Sequence, residues 1–311
     1  MTKNKFIKII FLCLASTAFF SFIILCAGYD GFGIPSGDIL KIRILRITIA
    51  LIAGFALAEA GVCFQMVFSN PLADPYILGS SSGAAFGIAA LIMLGVQKTS
   101  ILYPLTAGAA SCAAVFAVLK ISGGNYSRNT LILSGVAVNF FLSALVILAV
   151  TLRKREAYSI LYFMMGDMGE TNIRLISAAG CAAAAASFFI LRKARVLNAL
   201  SFGNDLSRHL GVDFEKESKV CLILASFLTG CAVAISGTVG FIGLMAPHIA
   251  RKFTGSDARF LFFAAGSSGG ILLLSSDFIA RIALYPVEIP VGVITALLGA
   301  PFFLWLYRGH D

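Results

Sequence analysis

The chain has 311 residues, of which 59% are hydrophobic and only 13% are charged. Its mean hydropathy of +0.93 leaves too little polar surface to cover a water-soluble globule of this length, so the chain belongs in a bilayer. The formal net charge of +9 indicates basic loops beside anionic lipid and argues against a nucleic-acid partner.

Apolar runs long enough to cross a hydrocarbon core of ~30 Å recur along the whole chain. The run at 239–250 is too short to cross alone as a straight helix, so we expect a half-helix or an extension of its neighbour there. We predict an all-α polytopic membrane protein that forms a single transmembrane domain, 1–311. The ten predicted helices lie at about 6–28, 47–68, 76–96, 101–120, 130–151, 174–191, 220–237, 239–250, 260–284 and 290–307.

The first run follows Lys3, Lys5 and Lys8, as the core of a secretion signal would. It is longer than a usual signal core, so we interpret it as an uncleaved helix. The seven cysteines form no close pair and have no companion histidine, which is typical of small buried residues and predicts neither disulfides nor a metal site. Most lysines and arginines fall in loops on the side of the N-terminus, which predicts that both termini are cytoplasmic.

The second run ends at NPLADP, residues 70–75, which predicts a cytoplasmic turn that redirects the chain. Ala60-Gly61 precedes Pro71 by the same interval at which Ser236-Gly237 precedes Pro247. This echo predicts inverted internal repeats, with helices broken at Asn70-Pro71 and Ala246-Pro247. The residues assigned to structure or polar packing are Glu59, Gln65, Asn70, Pro71, Pro247, His248 and Asp277.

Three long stretches resemble one family, the permease subunits of type II bacterial ABC importers for iron-siderophores, haem and vitamin B12. The stretches are RILRITIALIAGFALAEAGVCFQMVFSNPLADPYILGSSSGAAFG (43–87), SGTVGFIGLMAPHIARKFTGSDARFLFFAAG (236–266) and SDFIARIALYPVEIPVGVITALLGAPFFLWLYR (276–308). The resemblance implies a bacterial inner-membrane subunit that pairs with a second copy of itself. It also implies two cytoplasmic ATPases and an extracytoplasmic binding protein that delivers a ferric siderophore, haem or cobalamin.

The sequence agrees with this division of labour, because it contains no Gly-Lys dipeptide and therefore no Walker A loop. We expect the chain to be no enzyme and to bind no cofactor, while ATP and Mg are used by partner subunits. The resemblance implies that the polar segment 198–219 is the coupling loop. Its residues assigned to coupling with the ATPase are Leu206, Leu210, Gly211 and Val212. A short second helix is expected from Phe214 to Lys219.

The resemblance assigns docking of the binding protein to Arg43, Arg46 and Arg281, since guanidinium groups bind carboxylates with paired hydrogen bonds. Asp277 precedes Arg281 by four residues, so the two can pair across one helical turn. The resemblance places the fifth and tenth helices near a two-fold axis. The residues assigned there to the translocation path or gate are Asn129, Thr130, Leu131 and Ser134.

Glu59 departs from the family, which has a small or hydroxyl residue at this position. An acid in the second helix costs ~3 kcal/mol on insertion scales unless it is paired, hydrated or protonated. Packing against a polar partner and contact with cargo both stay open. The alternative function is an ion- or proton-coupled secondary transporter in which Glu59 and Asp277 carry the coupling.

Overall fold

The computed structural model describes residues 3–28, 31–35, 37–97, 100–123, 128–169 and 172–308. Within these ranges the chain is almost entirely helical, with one two-residue hairpin, β1 (Ala27–Gly28) and β2 (Gly31–Phe32). The helices in the first half are α1 (Lys3–Cys26), α2 (Gly37–Val67), a 3-10 helix (Pro75–Leu78), α3 (Ser80–Met93), α4 (Leu102–Ile121), α5 (Arg128–Leu152) and α6 (Ala157–Met164). Those in the second half are α7 (Ile173–Arg192), α8 (Ala194–Leu200), α9 (Asn204–His209), α10 (Phe214–Ser236), α11 (Ile242–Thr254), α12 (Ala258–Ile282) and α13 (Val291–Arg308).

Seven of the described helices are long and apolar enough to cross a membrane: α1, α2, α4, α5, α7, α10 and α12. The shorter α3 and α13 are also apolar, and α11 corresponds to the short eighth run. Each of the ten predicted segments overlaps an observed helix. The chain is therefore a multi-pass membrane protein.

The centre of the bundle is α2, which packs against α12, α10 and α11. Glycine makes this approach possible, because a Cβ on Gly54 would overlap the backbone of Gly269 and Gly270 in α12. A Cβ on Gly61 would overlap the backbone of Gly243 in α11 in the same way. Without a hydrophobic driving force between helices in lipid, such close backbone contact is a main source of helix association.

The NPLADP segment forms a capped turn between α2 and α3. The Asn70 side chain accepts a hydrogen bond from the backbone N–H of Leu72 at 3.1 Å. Asp74 accepts one from the N–H of Tyr76 at 2.8 Å and so caps the 3-10 helix. Gly79, at a φ of 77°, then turns the chain into α3.

Several boundaries differ from the sequence prediction. Helix α2 begins at Gly37 rather than at residue 47, because a helix that extends beyond the apolar layer can carry charged residues. Phe214 to Lys219 do not form a separate short helix. They are the first turns of α10, which Asp213 caps by accepting from the N–H of Lys216 at 3.1 Å.

The predicted break at Ala246-Pro247 is absent, since Pro247 lies inside the continuous helix α11. The two segments of similar sequence, 60–71 and 236–247, also have different conformations. Gly61 lies within α2, whereas Gly237 ends α10 at a φ of 67°. Likewise, Pro71 lies in a turn and Pro247 in a helix.

Candidate functional site

A cluster of charged side chains joins α2 to the C-terminal end of α12. Arg46 donates from Nε and Nη2 to Oδ1 of Asp277, at 3.2 and 2.8 Å. Arg281 donates from Nε to Oδ2 of the same carboxylate at 3.1 Å, the pairing that the four-residue spacing allows. The Asp277 side chain is only 1% exposed, so this carboxylate lies between two guanidinium groups and away from solvent.

Glu288, in the loop between α12 and α13, completes this cluster from the outside. Its Oε2 accepts from Nη1 of Arg46 at 2.8 Å, and its side chain is 49% exposed. Arg46 itself is 12% exposed, so most of its donors are already engaged within the chain. Sequence reasoning missed Glu288, because the pair is 242 residues apart along the chain.

Arg43 lies near this cluster but has different partners. Its Nη1 donates to the backbone carbonyls of Leu25 and Ala27, at 2.8 and 3.1 Å. These bonds hold the end of α1 and the β1 strand against α2. Because Arg43 and Arg46 both act electrostatically on Arg281, the cluster carries three guanidinium groups against the carboxylates of Asp277 and Glu288. The excess of positive charge is suited to an acidic partner surface.

The segment of α8 and α9 lies at the opposite end of α12 and carries exposed leucines. Leu206 and Leu210 are 55% and 63% exposed. Gly211 turns the chain at a φ of 77°, and the N–H of Val212 donates to the carbonyl of Ser207 at 3.0 Å. Ser207 is buried and donates from its hydroxyl to the carbonyl of Ala199 at 2.8 Å. Together these contacts give a compact segment from which Leu206 and Leu210 point outward, as a docking surface requires.

Asn198 fastens this segment to the N-terminal end of α12. Its Nδ2 donates to Oδ1 of Asp257 at 2.9 Å, and its Oδ1 accepts from the backbone N–H of Ala258 at 2.8 Å. Hydrogen bonds from Arg259, and then from Asn198, lower the pKa of the Asp257 carboxyl to about 2. Sequence reasoning missed Asn198. Asp257 could be recognised as an N-cap before an apolar helix, but nothing in the sequence indicates that Asn198 is its partner.

The residues predicted for the gate lie in the first turns of α5 but face different ways. Asn129 is exposed and Thr130 is half-buried. Leu131 is 2% exposed and Ser134 is also buried, so both point into the chain's own core. Leu133, at 73%, begins the exposed apolar face of this helix. That face is exposed in this conformation, whereas Leu131 and Ser134 are covered by the rest of the chain.

A family model for the FecCD transport family matches residues 8–309. The chain belongs to this family. It is 36% identical to the hemin transport system permease protein HmuU of Yersinia pestis, over 86% of this chain and 82% of that one. It is also 36% identical to the cobalamin import system permease protein BtuC of Halobacterium salinarum, over 90% of this chain and 76% of that one.

A solved structure has the same fold, with a TM-score of 0.85 and 29% identity over 97% of this chain and 99% of that one. It is described as an inward-facing conformation of a metal-chelate type ABC transporter. The predicted all-α type II importer fold is thus confirmed. The chain is the permease subunit of an ABC transporter of the metal-chelate, haem and vitamin B12 type.

Gln65 has a structural role in this FecCD permease. Pro247 has no N–H, so the carbonyl of Gly243, four residues earlier in α11, has no intrahelical donor. The Gln65 amide donates to that carbonyl at 3.3 Å and lies 3.5 Å from the carbonyl of Leu244. This hydrogen bond from α2 explains how α11 continues through a proline.

Two further polar residues of the FecCD permease are His248 and Glu59. The His248 ring packs edge-on against Phe302 of α13, with ring centres 5.6 Å apart. In the described part of the chain, no group of three or more His, Cys, Asp or Glu side chains is placed to hold a metal ion. Glu59 is fully buried, but neither of its carboxyl oxygens has a hydrogen-bond partner among the described residues.

Proposed function

We propose that this FecCD permease imports a large metal chelate, a ferric siderophore, haem or cobalamin, into the bacterial cytoplasm. It works as a pair with a second copy of itself in the inner membrane, with both termini in the cytoplasm. An extracytoplasmic binding protein delivers the cargo, and two separate cytoplasmic ATPases supply the energy. Two relatives, a hemin transport permease and a cobalamin import permease, support this range of cargo.

One observation carries the proposal: the two ends of α12 carry different surfaces, with exposed leucines near one end and the arginine cluster at the other. Asn198 ties α8, which leads to the exposed Leu206 and Leu210, to Ala258. Asp277 and Arg281, at the other end of α12, belong to the arginine cluster. Ala258 and Arg281 are ~35 Å apart along a helix that rises 1.5 Å per residue, which is about the thickness of a membrane. An acidic binding protein on one side and an ATPase on the other fit these two surfaces.

The geometry disfavours coupling by a proton carried on Asp277. A carboxylate that exchanges protons during transport needs a path to water, whereas Asp277 accepts hydrogen bonds from both Arg46 and Arg281 and is almost fully buried. Its charge balances the two arginines. The ATP-driven importer is therefore the function that we propose.

Reconstitution in liposomes tests the proposal directly. The chain is combined with its partner ATPase and binding protein, and the uptake of ferric siderophore, haem and cobalamin is measured with and without ATP in the lumen. We expect accumulation of one cargo class that requires ATP hydrolysis. Uptake that follows a proton gradient without ATP would overturn the proposal.

The cargo can be identified independently, because the binding protein holds its ligand before docking. The binding protein that partners this permease is purified without denaturation, and the ligand that it retains is identified by mass spectrometry and absorption spectroscopy. We expect an iron chelate or haem. A retained ligand without a metal would remove the metal-chelate assignment while leaving the ATP-driven mechanism open to the liposome test.

A further inference from the structure

The Glu59 carboxyl lacks a partner within the protein. It lies in α2, is fully buried, and neither of its oxygens makes a hydrogen bond to a described residue. Ser187 of α7 is its polar neighbour, but no contact of hydrogen-bond geometry joins the two side chains. Buried polar groups in folded proteins are almost always satisfied, so an orphaned carboxyl points to a partner from outside the chain.

Glu59 lines a cavity of about 410 Å³ between α2, α7 and α10. Apart from Glu59 and Ser187 the walls are apolar, with Leu51 and Phe55 from α2 and Leu228 from α10. A volume of this size, with mostly apolar walls and a few polar groups, is typical of a ligand site. The cavity is therefore suited to a long apolar group that carries one hydrogen-bonding atom.

The mouth of the cavity opens on the surface of α7, where the lining residues Ala184 and Phe188 are exposed. Helix α7 packs mainly on α10, α2 and α4, and so lies apart from the exposed faces of α5 and α13 that the proposed pair of subunits uses. We therefore expect the exposed face of this spanning helix to lie against hydrocarbon. The ligand is thus expected to enter from the bilayer.

Positive charge lies one to two turns beyond the mouth. Ser187 precedes Arg192 by ~7.5 Å along α7, and the Arg192 guanidinium lies 5.6 Å from the centre of the Phe188 ring. Lys193 is paired with Glu217 at 2.5 Å. Arg192 and Arg195 are exposed, and neither forms an ion pair with a described residue. This separation matches a lipid whose phosphate lies at the membrane surface and whose ester groups lie just below it.

We propose that the cavity holds one acyl chain of an anionic phospholipid. The phosphate binds Arg192 and Arg195, which attract anionic headgroups at the cytoplasmic leaflet. An ester carbonyl accepts a hydrogen bond from Glu59 in its neutral form, since an isolated carboxylate in apolar surroundings is far more costly than the acid. The assignment of Arg192 and Arg195 to the cytoplasmic leaflet rests on the proposed orientation, whereas the binding test uses the permease alone and depends on neither the cargo nor the binding protein.

The experiment measures lipid binding to the purified, delipidated full-length permease by native mass spectrometry. Dioleoyl phosphatidylglycerol is titrated against dioleoyl phosphatidylcholine. Wild type is expected to retain phosphatidylglycerol preferentially. Glu59→Leu, which fills the position with an apolar side chain, is expected to weaken this binding roughly 2- to 10-fold, the factor that one net hydrogen bond confers. Glu59→Gln keeps a donor and is expected to restore most of the affinity.

Neighbouring alanines on α7 provide a matched pair of variants. Ala184 lines the cavity and Ala185 is equally exposed on the same helix without lining it. Ala184→Trp is expected to abolish the tight phosphatidylglycerol state, whereas Ala185→Trp leaves it unchanged. Arg192→Ala with Arg195→Ala removes the preference for the anionic lipid.

Three outcomes overturn the proposal. Equal binding of both lipids to wild type removes the anionic assignment, and equal binding to Glu59→Leu and Glu59→Gln removes the role of the carboxyl. A change of oligomeric state in Ala184→Trp, without a change in lipid binding, assigns this face to a second copy of the chain. Thermal unfolding of each variant in detergent distinguishes loss of the site from loss of the fold.

Discussion

Replacing Glu288 by Gln is expected to strengthen docking of the binding protein. Glu288 occupies Nη1 of Arg46 at 2.8 Å, so an acidic residue on the partner must displace it to reach the same donor. Asp277 is not displaced in this exchange, because it is buried between two guanidinium groups. Glu288 thus acts as an internal competitor for the partner's carboxylate.

The size of this effect follows from the exposure of the pair. An ion pair whose carboxylate is half exposed contributes ~0.2–1 kcal/mol. Removing a competitor of that strength raises the association constant by about 1.5- to 5-fold, since 1.4 kcal/mol corresponds to a factor of ten. The gain is expected to shrink as salt is raised toward 1 M, where exposed charges are screened within ~3 Å.

The assay is equilibrium binding of the purified binding protein to the permease in nanodiscs, followed by biolayer interferometry over a salt series. Glu156→Gln is the control, because it removes the same charge from the loop between α5 and α6 without touching Arg46. An unchanged affinity in Glu288→Gln at low salt would refute competition. A weaker affinity would show instead that Glu288 orients Arg46 for its partner.

The remaining predictions concern the coupling turn, α11 and α5. Gly211→Val is expected to uncouple ATP hydrolysis from uptake, because a β-branched residue is strained at a φ of 77°; normal coupled uptake would count against the turn. Gln65→Leu leaves the Gly243 carbonyl without a donor and is expected to destabilise the permease by ~1–3 kcal/mol, measured by unfolding in mixed micelles; unchanged stability would remove this role. A cysteine at Leu133, in a background without the native cysteines, is expected to crosslink two copies. A cysteine at Leu131 is expected to crosslink only if nucleotide-driven movement of α5 exposes it. Crosslinking at Leu131 but not at Leu133 would show that another face of α5 contacts the second copy.

Charge reversal at the arginines has different consequences at the two positions. Arg43→Glu loses hydrogen bonds to two backbone carbonyls, whereas Arg46→Glu places a carboxylate beside the buried Asp277. Breaking a buried ion pair in this way is strongly destabilising, by ~3–5 kcal/mol. We therefore expect Arg43→Glu to be the milder of the two reversals for folding. At Arg46, Gln is the better substitution for a docking test.

The predictable part of this structure is the part that local pattern determines. Long apolar runs located the spanning helices, and Gly211 and NPLADP located turns, because chain direction there depends on a few neighbouring residues. Helix α8 and the start of α2 were missed, since charged residues such as Arg195 and Lys41 mask a helix that leaves the apolar layer. The pairs Arg46–Glu288 and Asn198–Asp257 were missed because tertiary packing alone brings their partners together.

The glycine contacts between α2 and α12 determine which parts of the permease can move. At Gly54 the two helices are in backbone contact with no side chains between them, because Gly54 packs against Gly269 and Gly270. A relative shift of the helices would therefore bring backbone atoms into collision. They are therefore expected to move as one stiff body, to which Asn198 and Arg46 are attached at opposite ends. Packed cores switch between discrete arrangements rather than deform continuously. We therefore expect the transport cycle to tilt this body against α5 and α13, which both carry many exposed apolar residues.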